Sequence, residues 1–199
     1  GLSPNTVNAI ISVLKNSLRT AHLTGIAEKY TADIVKRPKQ KEKKVECFTL
    51  TEQKKIETAI FRSKKPKMFG VILCLYTGLR VGELIALQWK DIDLKKGILT
   101  VSRSCHDGKR GIVFDEPKTF SSRRIIPLPK QLLPRLKNIK KNSRSCFVVE
   151  AGGLPVSVRS YQRSFELLLK KLNLLHRGKN IRSVRDCGWR RTACQSRAL

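Results

Sequence analysis

Apolar residues at Val7, Ile10, Ile11, Leu14, Leu18 and Ala21 recur every three to four positions, which predicts a helix with one buried face. Ser3 followed by Pro4 supplies an N-cap and a first turn, and Gly25 supplies a stop. From Lys36 to Lys44 the apolar pattern ceases. Six positive charges and one proline in nine residues read as a linker, either a solvated connector or a strap across a phosphate backbone. A second unit opens at Thr49-Leu50-Thr51-Glu52, where Thr51 is expected to cap a helix through Ile56 to Phe61. Pro66 then opens a largely buried helix carrying Phe69, Val71, Ile72, Leu73 and Leu75 up to Gly78. After Arg80 a short helix carries Leu84, Ile85 and Leu87, and Asp91-Ile92-Asp93 is expected to end it.

The period then changes from about 3.6 to two. Ile98-Leu99-Thr100-Val101, Gly111-Ile112-Val113-Phe114 and Arg124-Ile125-Ile126-Pro127-Leu128 read as strands, with a polar turn around Asp107-Gly108. Leu132, Leu133 and Leu136 mark a further helix, and Ser157 to Leu172 a longer one with Phe165, Leu168, Leu169 and Leu172 on one face. The predicted fold is mainly α with a small three-stranded antiparallel β-sheet, an α+β arrangement without internal repeats.

Charge changes the picture. The 199 residues hold 42 Lys and Arg against 15 Asp and Glu, a net charge of +27, with 40% hydrophobic residues. That hydrophobic content supports a folded core, so the charge belongs to a folded surface and calls for a polyanionic partner. Nucleic acid comes first and an acidic membrane surface second. No apolar run reaches a membrane-spanning length and no signal peptide opens the chain, so no membrane partner is expected. The six cysteines form no C-x-x-C pair, which argues against a zinc ribbon and for reduced thiols in a cytoplasmic protein. No metal and no cofactor are expected.

The sharpest local signal is Tyr76-Thr77-Gly78-Leu79-Arg80-Val81-Gly82-Glu83-Leu84. Arg80 and Glu83 are three apart, so a helix places them on one face and the carboxylate can orient the guanidinium. Such a fork matches phosphate oxygens, and it equally suits a structural salt bridge at a helix start.

The segment from Thr77 to Leu84, followed by Leu87-Gln88-Trp89-Lys90-Asp91-Ile92-Asp93, closely resembles the first conserved box of tyrosine recombinases, the phage-type and conjugative-transposon integrases. The order that follows is similar too: a hairpin, then Pro117-Lys118-Thr119 ahead of Ser122-Arg123-Arg124-Ile125-Ile126-Pro127-Leu128. Residues 1–44 resemble the last helix of a DNA core-binding domain plus a basic linker, and residues 45–199 an incomplete catalytic domain. The resemblance implies DNA recombination and integration by a mobile element. In that chemistry a tyrosine attacks the scissile phosphate and forms a 3′-phosphotyrosyl link, while arginines stabilise the transition state without a metal. It also implies that full-length relatives assemble as homo-oligomers on double-stranded DNA. Arg80 matches the first catalytic arginine, Glu83 its supporting acid, and Lys118 the hairpin lysine that protonates the leaving oxygen.

The second box of the family, H-x-L-R-H-T, is replaced here by Arg182-Ser183-Val184-Arg185-Asp186. Arg185 stands where the second arginine would, or it is a chance arginine in a basic tail. Seven Lys and Arg fall between Arg177 and Arg197, and the tail from about residue 182 is expected to be divergent or out of frame. None of Tyr30, Tyr76 and Tyr161 matches the nucleophile, and none of His22, His106 and His176 matches a catalytic histidine. The expectation is an inactive recombinase fragment that binds DNA. The rivals are a non-catalytic DNA-binding protein on the same scaffold and a general basic RNA-binding protein. Three Tyr, two Trp and seven Phe offer few stacking platforms for single strands, which disfavours the last.

Overall fold

A computed structural model of the chain describes residues 1–30, 32–39, 47–63, 65–115, 123–175 and Val184. The chain divides into two compact units, Gly1–Lys44 and Val45–Leu199.

In the first unit, α1 spans Pro4–Leu23, with the Ser3 hydroxyl accepting the Thr6 amide and proline in the first turn. Asn8 donates to the Pro38 carbonyl at 3.3 Å, and Lys15 approaches Asp33 at 3.8 Å. Half of the predicted apolar stripe faces solvent. Ile10, Leu14 and Leu18 are exposed, and no residue of α1 is fully buried.

The second unit holds the core. Its first helix, α2 (Leu50–Arg62), starts two residues earlier than the pattern suggested. Thr49 is the cap, exchanging hydrogen bonds with Glu52 in a capping box, while Thr51 lies inside the helix. Pro66 opens a single 3-10 turn, and α3 proper spans Phe69–Thr77. Every residue of α3 except Tyr76 is buried, as an all-round hydrophobic helix must be. Gly78 terminates it at φ 68° and returns its amide to the Cys74 carbonyl at 3.0 Å. Only a residue tolerant of left-handed backbone serves there.

The short helix α4 (Val81–Ala86) follows at once, and it ends before Leu87 rather than at Asp91. A 3-10 turn over Trp89–Asp91 comes next, and then a strand. β1 (Ile92–Asp93) pairs antiparallel with β2 (Ile98–Val101), and the Asp93 carboxylate takes the Lys95 and Lys96 amides, each at 2.9 Å, to turn the chain. Asp91 thus closes the 3-10 turn, accepting the Gln88 amide at 2.9 Å, and Asp93 alone supplies the turn chemistry of the hairpin. β3 (Ser104–Gly108) and β4 (Gly111–Asp115) form a separate two-stranded hairpin, and β5 (Arg124–Pro127) joins β2. A three-stranded antiparallel sheet is present, with strand order β1-β2-β5. Its strands are not the three that the alternation suggested, because Gly111–Asp115 pairs with the polar segment before it. The expected turn at Asp107-Gly108 falls instead at Lys109-Arg110.

Beyond the sheet, α5 (Leu133–Asn142) leads to a small hairpin of β6 (Glu150–Ala151) and β7 (Leu154–Pro155), and then to α6 (Val158–Lys171). Tyr161, Phe165 and Leu169 of α6 enter a core with Ile72, Leu73, Leu75, Leu84, Ile85 and Leu99. Among the described residues no helix is long and apolar enough to cross a membrane.

Candidate functional site

Arg80 sits at the junction that Gly78 creates. Its backbone is extended, and α4 begins one residue later. Glu83, in the first turn of α4, accepts the Arg80 amide at 2.8 Å through Oε2 and the Arg80 guanidinium at 2.9 Å through Oε1. The shared face predicted from their spacing is therefore a real contact. The two side chains differ sharply in exposure, 64% for Arg80 and 6% for Glu83.

A third residue explains how that carboxylate survives burial. Arg124 of β5 donates to both Glu83 oxygens, Nη1 at 3.0 Å and Nη2 at 2.7 Å, in a bidentate fork. Burial raises the Glu83 carboxyl pKa. The Arg124 hydrogen bonds, the Arg80 amide and the Arg124 charge outweigh it, so the group is held below the usual carboxylate range. Arg124 escaped the sequence reading as a site residue, although a signal existed. In the alternation of Arg124-Ile125-Ile126-Pro127 it shares a face with buried Ile126, and an inward-facing arginine requires an acidic partner.

The backbone around Arg80 is fixed by close packing. A Cβ on Gly82 would collide with the Cys105 carbonyl and lie 2.8 Å from Ser104 Oγ, so α4 approaches β3 with no side chain between them. The β3–β4 hairpin is tied to α6 through Asp107, whose carboxylate accepts the Val158 amide at 2.9 Å and the Arg159 amide at 2.8 Å. Together these elements border an open cavity of about 620 Å³, lined by Arg80 and Gly82, by Ser104 to Asp107, and by Val158, Arg159 and Gln162. A second cavity, of about 490 Å³, includes Ile60, Phe69 and Arg135 in its lining and shares no residue with the first.

Lys118 and Arg185 lie outside the described residues, as do the Pro117-Lys118-Thr119 segment, Arg182 and His176. Tyr161 is fully buried and its hydroxyl donates to the Lys67 carbonyl at 3.1 Å. Burial pushes its phenol well above the ordinary value. Tyr30, in the first unit, donates to Asp33 at 3.4 Å and stacks with His22. Among the described residues no cluster of three or more His, Cys, Asp or Glu is placed to hold a metal ion.

Fixed cations around a concave site suit an oxyanion ligand, and comparison with known proteins bears on which fold carries them. The ICEBs1 integrase of Bacillus subtilis (strain 168) is 34% identical across 74% of this chain and 40% of its own length. A XerC-like tyrosine recombinase of Caldanaerobacter subterraneus subsp. tengcongensis is 33% identical across 72% of this chain and 40% of its own. The chain thus spans about 40% of the length of these curated relatives. Among solved structures, the Tn1549 transposon integrase in complex with transposon right end DNA superposes with a TM-score of 0.82 at 24% identity, covering 98% of this chain and 68% of that one. A lambda integrase tetramer bound to a Holliday junction gives a TM-score of 0.68 at 21% identity over 92% of this chain and 52% of that one. These structural likenesses bear on the fold alone. The model of the phage integrase family matches residues 38–186, a span that takes in the Arg80 junction, both sheets around it and α6. The chain belongs to the phage integrase family.

Proposed function

We propose that this chain is the DNA-backbone-binding part of a tyrosine recombinase, a cytoplasmic protein whose Arg80 contacts a phosphate of double-stranded DNA. In this reading Glu83 orients Arg80. Lys118 acts as the general acid for the leaving oxygen, and Arg185 is the candidate second arginine. The observation that carries the proposal is the asymmetry of the Arg80–Glu83 pair: a buried carboxylate, neutralised from behind by Arg124, holds an arginine whose fork remains open to solvent. Arg124 alone already engages both oxygens of the buried carboxylate, so the solvent-facing part of the Arg80 fork can meet an anion, and a preorganised cation aimed outward stabilises charge on a phosphorane-like transition state. DNA complexes of the Tn1549 and lambda integrases support the choice of duplex DNA and of assembly as oligomers on it. Residues 1–44 would then be the last helix and basic exit linker of a core-binding domain, and residues 45–199 the catalytic-domain portion.

The second reading, DNA binding without strand cleavage by this chain alone, is favoured by the tyrosines. In-line attack requires a phenolic oxygen held against the phosphate, and correct placement is worth many orders of magnitude in effective concentration. The Tyr161 oxygen is committed to the core, and Tyr30 is paired within the first unit. Incubation with nicked suicide duplex DNA, read on a denaturing gel, tests this. Non-covalent binding with no surviving adduct is expected. A robust adduct abolished by Tyr161→Phe would contradict it.

A further inference from the structure

The geometry points to a third member of the anion site: His106, oriented by Asp115, completes with Arg80 and Arg159 a pocket for a phosphodiester group. This inference rests on the reading of Arg80 as a phosphate ligand and adds the residues that would grip the group from the other side.

His106 was set aside on sequence because it matches no histidine of the family. The structure places it on β3, in the wall of the same 620 Å³ cavity as Arg80. Its Nδ1 lies 2.7 Å from Asp115 Oδ2 on the paired strand β4. An ionised carboxylate only accepts, so Nδ1 carries the proton and Nε2 remains as the free ring nitrogen. Neutral imidazole would present an Nε2 lone pair, which a phosphate oxygen repels. Protonated imidazole would present an N–H, which a phosphate oxygen accepts. A phosphate oxygen in this pocket therefore takes the ring N–H, and the Asp115 carboxylate holds the ring in place from the other nitrogen.

The surroundings are consistent with an anion rather than a cation. Arg159 enters the lining from the first turn of α6, and Gln162, one turn on, adds an amide donor. The carboxylates near the pocket are each already engaged. Glu83 is held by Arg80 and Arg124, Asp107 by the amides of Val158 and Arg159, and Asp115 by His106.

The test uses the full chain with a mixed-sequence DNA duplex and, separately, inorganic phosphate. Duplex affinity is measured against salt concentration at fixed pH. The His106 imidazole resonances are followed in parallel and assigned by their loss in His106→Gln, and circular dichroism verifies that the variants remain folded. His106→Gln should bind the duplex about three- to fivefold more weakly than the wild type at low salt. Asp115→Asn, which removes the acceptor that orients the ring, should weaken binding in the same direction. Arg159→Ala should make the salt slope shallower by about 0.9. Either probe should perturb the His106 resonances. Duplex affinity unchanged in His106→Gln, with unmoved resonances, would overturn this inference while leaving Arg80 as a phosphate ligand. Resonances shifted by phosphate, without any salt-sensitive duplex binding, would support the pocket and overturn the DNA reading instead.

Discussion

Removing the Glu83 carboxylate would leave two guanidinium groups, Arg80 and Arg124, without the acceptor that both now share. Arg124 is a third exposed and Arg80 mostly so, which moderates the cost, and Glu83→Gln should destabilise the fold by about 1–3 kcal/mol. The sign of its pH dependence follows from the depressed carboxyl pKa. The group contributes fully above its unfolded value, near about 4.3, and the contribution is lost as pH falls through the lower folded value. Thermal unfolding across that acid range should show a steep limb in the wild type and a flatter one in Glu83→Gln; an identical limb in both would rule Glu83 out. At this scale the sequence was informative where spacing is local. Arg80 and Glu83 are neighbours by helical geometry alone, so their contact could be read directly. Arg124 and His106 reach the site through strand pairing, Val101↔Arg124 in one sheet and His106↔Val113 in the other, and that register is not visible in any single segment.

The same distinction governs the elements. Helices α1, α2 and α6 were legible because each carries a side-chain N-cap and a 3.6-residue pattern, and α3 because its apolar run is unbroken and closed by Gly78. The sheet was read less well. β1 is two residues long, β3 is the polar run Ser-Cys-His-Asp-Gly, and neither has enough alternation to announce a strand. What organises them is tertiary: α4 packs directly on β3 across Gly82, and Asp107 caps α6. Gly82→Ala should therefore cost about 1–3 kcal/mol, because the obstructing atom is a backbone carbonyl that cannot rotate away. It should also weaken anion binding at Arg80 by moving the hairpin that forms one wall. A variant with wild-type stability in chemical denaturation would show that α4 and β3 are not held in the close contact described.

For the whole molecule, a net charge of +27 points to a polyanionic partner, and the described fold sets four cations at the β3–β4 hairpin and the cavity beside it. Lys109 and Arg110 occupy the β3–β4 turn, while Arg80 and Arg159 line the cavity beneath it. A net charge of +27 disfavours the compact state through self-repulsion, and a duplex partner would relieve that cost by replacing counterions at its phosphates. The central claim is that these cations, Arg80 among them, neutralise backbone phosphates. It is tested most directly by the slope of log affinity against log salt for a DNA duplex, measured for the wild type and for Arg80→Ala. The expected slope is steep and negative, about −0.9 for each phosphate neutralised, and shallower by about one such increment in Arg80→Ala. Affinity that is flat between low and moderate salt, or a slope that Arg80→Ala leaves unchanged, would contradict it.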